Sequence, residues 1–190
     1  LRFILKGWVE EFYINPKYYF TYYGFEWVTP FKESGMYILF GLILLCTVFI
    51  TIGLFYRISI SIYFLLFTYV ELIDKTYYLN HYYFISLLSF ILIFLPLHRN
   101  FSLDTFIGIC KKTSYVKSWT INVIKIQIGI VYLFAGIAKL NYEWLFEAQP
   151  LINWLKHLTD FPFIGQLLRE DFTAYLFSWA GALFDLSIFF

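Results

Sequence analysis

Between Met36 and Tyr56 the chain runs for 21 residues without a charged side chain, and this run limits the fold more tightly than anything else in the sequence. At 1.5 Å per residue, a helix of that length covers about 30 Å, the hydrocarbon thickness of a bilayer. Four more runs accompany it. Thr76–Leu97 has no charge over 22 residues with His81 counted neutral, and Ile58–Ile73 has Glu71 near its end. Ser118–Ala138 contains one charge, Lys125, and Phe172–Phe190 contains one, Asp185. Apolar residues are 61% of the chain, aromatics 25% and charges 14%, where a soluble domain carries about a quarter charged. The predicted fold is therefore all-α: a polytopic membrane helix bundle of five spans, with LRFILKGW (residues 1–8) as the tail of an earlier one. It is expected to form a single transmembrane domain over residues 1–190, cut at both ends.

Charge asymmetry orients the bundle. The turn at Arg57 and the loop 99–117 hold Arg57, Arg99, Lys111, Lys112 and Lys117 against one acid, Asp104. The opposite loops are longer and carry their six basic residues at lower density, so the first side is expected to be cytoplasmic. Counting spans from there puts Asp74–Asn80, His81 and Lys139 at the non-cytoplasmic end. The loops on that side have a character of their own. Asn15–Pro30 (NPKYYFTYYGFEWVTP) has the aromatic content of an interfacial belt. In Pro150–Leu158 the residues Leu151, Trp154, Leu155 and Leu158 share a helical face, as in an interfacial amphipathic helix. Together the two segments are expected to roof a cavity open sideways to lipid. Cys46 and Cys110 fall at different levels of the predicted topology, so a disulfide framework is not expected.

Three polar groups at that end are chemical candidates. Lys139 closes the Ser118–Ala138 run, and an ammonium beside hydrocarbon is paired, snorkelling, or neutral enough to act as a base. Glu143, one turn on, is a possible surface partner. Asn80 and His81 offer donors and acceptors at the mouth of another run, whether for headgroups or for a pocket. In VELIDKT, Glu71 and Lys75 are four apart in the orientation of a helix ion pair, and Asp74 and Thr76 are both good N-caps. Asp74, Lys75 and Thr76 are thus read as supporting residues. Lys125 and Asp185 are further intramembrane charges without an assigned role. His98 and His157 stand apart from His81, and no metal site is expected.

The segments IDKTYYLNHYYF (Ile73–Phe84), HRNFSLD (His98–Asp104) and VYLFAGIAKLNYEW (Val131–Trp144) resemble the membrane domain of vitamin K-dependent gamma-carboxylases. In bacterial relatives the same domain is called the HTTM domain. GLFYR (Gly53–Arg57) and GALFDLS (Gly181–Ser187) follow in the same order, so the resemblance runs from about Phe12 to the end of the chain.

The resemblance implies an integral membrane enzyme of the carbon–carbon lyase class, active at its non-cytoplasmic end. Its cofactor would be reduced vitamin K or a menaquinol-type naphthoquinone, with dioxygen and carbon dioxide as co-substrates. The family's base deprotonates the quinol, the oxygenated product removes a glutamate γ-proton, and the carbanion captures carbon dioxide as the quinone epoxide forms. Lys139 matches the second lysine of the family's AGVKKLD-type segment and is implied to be this base. Asn80 and His81 match its active-site Asn-His pair. Ala138 stands where the family has its first lysine, and LNYEW is closer to the bacterial proteins. The family's protein-substrate site is expected in a large extramembrane domain that this stretch does not include, so quinol oxygenation is the better supported half of the reaction.

The implied partners are the lipid bilayer, a lipophilic quinone, and a protein substrate reached through parts outside this chain; no nucleic-acid partner is expected. The expected location is a bacterial inner membrane. The alternative is a non-catalytic scaffold that binds quinone or lipid and in which Lys139 stays protonated.

Overall fold

The computed structural model describes residues 1–158, 162 and 164–188, and among these the regular structure is entirely helical. Phe189 and Phe190, the end of the last predicted span, lie outside the described residues. The chain forms two compact units, Leu1–Lys117 and Ser118–Phe190.

In the first unit, α1 (Arg2–Leu5) and α2 (Trp8–Tyr13) are separated by Gly7 at φ 71°, which breaks the helix within LRFILKGW. Two long helices follow, α3 (Glu33–Ile52) and α4 (Tyr56–Ile73), and then α5 (Asn80–Phe94). The uncharged run at 36–56 does not stay helical to its end, because Gly53 (φ 66°) and Phe55 (φ 45°) turn the chain back on itself. Gly53 is required there for a second reason: a Cβ would sit 2.4 Å from the Ser102 Cβ. The run at 76–97 shortens to α5 at both ends. Before it, Asp74–Leu79 is taken up by a 3₁₀ turn at Lys75–Tyr77. After it, Leu95 precedes Pro96 and is held extended (φ −87°, ψ 139°), which stops the helix.

The core of this unit lies where α2, the aromatic loop and the adjoining ends of α3 and α4 meet, around Val9, Tyr13, Val28, Met36, Leu39, Val70 and Ile73. The loop is tied down from both sides. Tyr69 Oη donates to the Thr29 carbonyl at 2.6 Å, and Lys75 N donates to the Phe20 carbonyl at 2.9 Å. At the opposite end of α4, the buried Asp104 of α6 (Leu103–Phe106) accepts hydrogen bonds from Phe55 N at 2.7 Å and Tyr56 N at 3.0 Å. Its own N–H donates to the Gly53 carbonyl at 3.0 Å. A helix start leaves N–H groups unsatisfied, and a carboxylate placed against them also suits the helix dipole.

The second unit contains α7 (Ser118–Ala138), the short helices α8 (Tyr142–Phe146), α9 (Leu151–Lys156) and α10 (Gly165–Leu168), and α11 (Asp171–Ser187). The last turns of α11 meet the end of α7. A Cβ on Gly136 would lie 2.8 Å from Leu186 Cγ, and Tyr132 packs edge-on against Phe184. Earlier turns of α11 serve the short helices instead: Tyr175 and Trp179 donate to the carbonyls of Phe146 and Leu145 at 3.0 and 2.7 Å. The segment 150–158 packs on α11 rather than lying free. Leu151, Leu155 and Leu158 line an apolar hollow of about 460 Å³ with Phe177 of α11, while Trp154 faces outward.

α3, α4 and α7 are long and apolar enough to cross a membrane, and α5 is a shorter apolar helix. Their sides show large apolar residues: Ile38 on α3 is 63% exposed, Leu65 on α4 63% and Phe134 on α7 66%. Helices so apolar and so little covered call for lipid as their solvent. The protein is an integral membrane protein.

Candidate functional site

In the second unit the chain delivers Lys139 to a defined place. α7 ends because Asn141 starts α8: its Oδ1 accepts from Trp144 N at 2.7 Å, and its Nδ2 donates to the Ala138 carbonyl at 2.9 Å. The Lys139 ammonium then hydrogen-bonds and ion-pairs with the Asp185 carboxylate of α11. Side-chain exposure is 24% for the lysine and 10% for the aspartate, so the pair is sheltered but not sealed. The Trp144 ring lies beside it, with Nζ 5.2 Å from the ring centroid, a cation–π arrangement. Trp144 is held in turn by the buried Ser178: its indole N–H donates to the Ser178 carbonyl at 2.9 Å, and Ser178 Oγ donates to the Trp144 carbonyl.

Of the alternatives for this lysine, pairing is the arrangement found, and the partner is Asp185 rather than Glu143. Proximity in sequence favoured the glutamate. The side chain instead follows the end of α7 toward α11, where Gly136 allows the backbones to come close. Lys125, further along α7, is exposed.

In the first unit, Asp74 caps the 3₁₀ turn, with Oδ1 accepting from Thr76 N at 2.9 Å and from Thr76 Oγ1 at 2.8 Å. The Glu71–Lys75 ion pair does not form. α4 stops at Ile73 and Asp74 is extended (φ −145°), so the helical spacing that would join the two is lost. Asn80 is the first residue of α5 and His81 the second, both exposed, and the His81 ring meets the Tyr82 ring edge-on at 4.5 Å. Among the described residues neither side chain has a hydrogen-bond partner within the protein. Glu71 is half-buried and lines an apolar hollow between α4 and α5.

Around the Arg57 turn, the His98 ring stacks on Tyr56 with centroids 5.4 Å apart, and its backbone carbonyl accepts from Ser102 Oγ and from Cys110 Sγ. Burial lowers the His98 pKa, and Arg57 beside it acts in the same direction. Elsewhere, burial and then Glu71 raise the Tyr13 phenol. Among the described residues no group of three His, Cys, Asp or Glu is placed to hold a metal ion.

Helices long and apolar enough to cross a membrane, one of them ending at a sheltered lysine–aspartate pair, define an integral membrane protein. The HTTM domain family matches the chain over residues 1–190, and the chain belongs to that family. No solved structure matches it.

Proposed function

We infer that the protein is a vitamin K-dependent gamma-carboxylase-like membrane enzyme that deprotonates and oxygenates a reduced naphthoquinone. HTTM domains occur in vitamin K-dependent carboxylase-related proteins. The observation that carries the reading is the Lys139–Asp185 pair beside the Trp144 ring. A lysine acts as a base only when its amine is free. Asp185 fixes the position of the Lys139 Nζ beside the Trp144 ring. The free amine then accepts a hydroxyl proton of the quinol. Trp144 presents an aromatic face against which a quinone ring stacks.

Asn80 and His81 match the family's active-site Asn-His pair by resemblance, the amide and imidazole each offering a donor and an acceptor. Quinol and dioxygen become quinone epoxide and water: the ring supplies four electrons, two as the quinol becomes a quinone and two at the carbon pair that takes one oxygen atom, while the other oxygen leaves as water. Coupled removal of a glutamate γ-proton and capture of carbon dioxide is the further step of the same scheme, at the non-cytoplasmic face of a bacterial inner membrane.

The test is epoxide formation from a reduced naphthoquinone by the full-length protein. Lys139→Ala is expected to lower the rate by about 10²–10⁴-fold, the usual contribution of a general base. Equal turnover in both proteins, or none from well-folded wild type, overturns the assignment. The same ion pair also favours a second reading, a non-catalytic quinone- or lipid-binding scaffold in which Lys139 and Asp185 only fasten α7 to α11. In that case quinone binding survives when the pair is replaced by Met and Leu.

A further inference from the structure

The hollow between α4 and α5 lies wholly in the first unit and has a volume of about 530 Å³. Phe64, Leu72, Leu87 and Phe90 make most of its wall apolar. Against that wall stand three oxygen-bearing groups with nothing to bind. Ser86 is 7% exposed, and its buried Oγ has no hydrogen-bond partner. The buried Thr68 Oγ1 has none either. Glu71 has no cation partner among the described residues.

Buried hydroxyls in a helical membrane protein ordinarily bond back to their own helix, so two orphans on facing helices are a pointed exception. The helices run antiparallel, with Phe64 against Phe90 at 5.3 Å and Tyr56 Oη bonded to the Leu92 carbonyl. This register sets Thr68 level with Ser86. Glu71, three residues further along the same face of α4, stands about 4.5 Å above them. Tyr22, Tyr78 and Tyr83 line the hollow together with Glu71, the Tyr78 and Tyr83 ring centroids lying 6.2 Å apart.

A carboxylate among three tyrosine rings has the composition of an aromatic cage for a cation. A primary ammonium has three N–H donors, and Glu71, Thr68 Oγ1 and Ser86 Oγ are three acceptors. We propose that this hollow binds the primary ammonium head of a membrane amphiphile, with Glu71 as counter-charge and the aliphatic tail along Phe64, Leu87 and Phe90. An alcohol of equal length fits the wall but leaves the carboxylate without a counter-charge. The site is independent of the Lys139 chemistry and requires no turnover.

The experiment measures binding of dodecylamine and of dodecanol to the full-length protein in phosphatidylcholine nanodiscs, with empty nanodiscs subtracted. Dodecylamine is expected to bind saturably and at least about tenfold more tightly than dodecanol. Glu71→Gln is expected to weaken the amine by about tenfold or more, and Ser86→Ala by a smaller factor, with the alcohol little changed. Leu87→Trp, which fills the hollow away from the head, is expected to abolish both. Amine binding no greater than in empty discs, no preference over the alcohol, or indifference to Glu71→Gln overturns the proposal. Should Glu71→Gln fail to fold, the amine–alcohol comparison on wild type decides alone. Because epoxide formation is not the readout, this proposal and the quinol reading stand or fall separately.

Discussion

The carboxylate of Asp185 sits directly on the ammonium of Lys139, joining residues 46 positions apart where the end of α7 meets the last turns of α11. Removing one partner strands the other. Asp185→Asn is expected to destabilise the protein by about 1–3 kcal/mol, below the cost of breaking a fully buried pair because the lysine is a quarter exposed. The double variant Lys139→Met with Asp185→Leu is expected to regain most of that stability. Unfolding in detergent micelles measures both, and a double variant no more stable than the single one contradicts the account.

The close approach at Gly136 makes a second prediction. An alanine there would bring its Cβ 2.8 Å from Leu186 Cδ2 and 3.1 Å from the Leu186 backbone N. Gly136→Ala is expected to cost about 1–3 kcal/mol, the usual range for overpacking, with partial rescue by Leu186→Ala. A double-mutant cycle reads the coupling, and strict additivity would show that the two residues do not meet.

Asp104 is the acceptor for two backbone N–H groups that start α4. Asp104→Ala is expected to lower stability by about 1–3 kcal/mol, combining a lost cap with buried donors left unpaired. Asp104→Asn, which keeps one acceptor oxygen, falls between. Amide exchange at Phe55 and Tyr56 accelerates in the alanine variant; unchanged exchange there would refute the cap.

Protonation of His98 is opposed in the folded protein by burial and by Arg57 and Arg99, and is favoured by Asp104. The folded pKa therefore lies below the unfolded value of about 6.5. Unfolded chains take up the proton first, so stability falls as pH drops below about 6.5 and levels off once pH passes the folded value. His98→Phe, which preserves the stack on Tyr56, is expected to flatten the melting temperature between pH 7 and pH 5. A wild type whose melting temperature rises on acidification would contradict this.

Much of the architecture was legible because uncharged length has one physical meaning: Met36–Tyr56 and Ser118–Ala138 both announced long helices, and α7 has the bounds the sequence predicts. Helix ends were less legible where the backbone decides them, as at Gly53 and at Leu95 before Pro96. The partner of Lys139 was hidden for a different reason. Asp185 could be seen as an odd charge in an apolar run, but local spacing favours Glu143, and only tertiary packing brings α11 alongside. The Glu71–Lys75 pair failed the other way, since its spacing assumes a helix that stops two residues too early. Nothing in the sequence singled out Thr68 and Ser86, which become meaningful only once their hydroxyls are found unpartnered.

The Asp104 cap also bears on how the chain is built. The α3–α4 hairpin reads as a local structure, yet the group that completes it is encoded 49 residues beyond Phe55. During synthesis α3 and α4 leave the ribosome, and α5 after them, before the acceptor for the first turn of α4 exists. Until then that turn must rely on water or lipid headgroups, so its final form is set after insertion rather than during it. The basic loop that follows α5 is thus a late-arriving latch on an early hairpin, and a ribosome pause placed just before it would catch the two helices still unlocked.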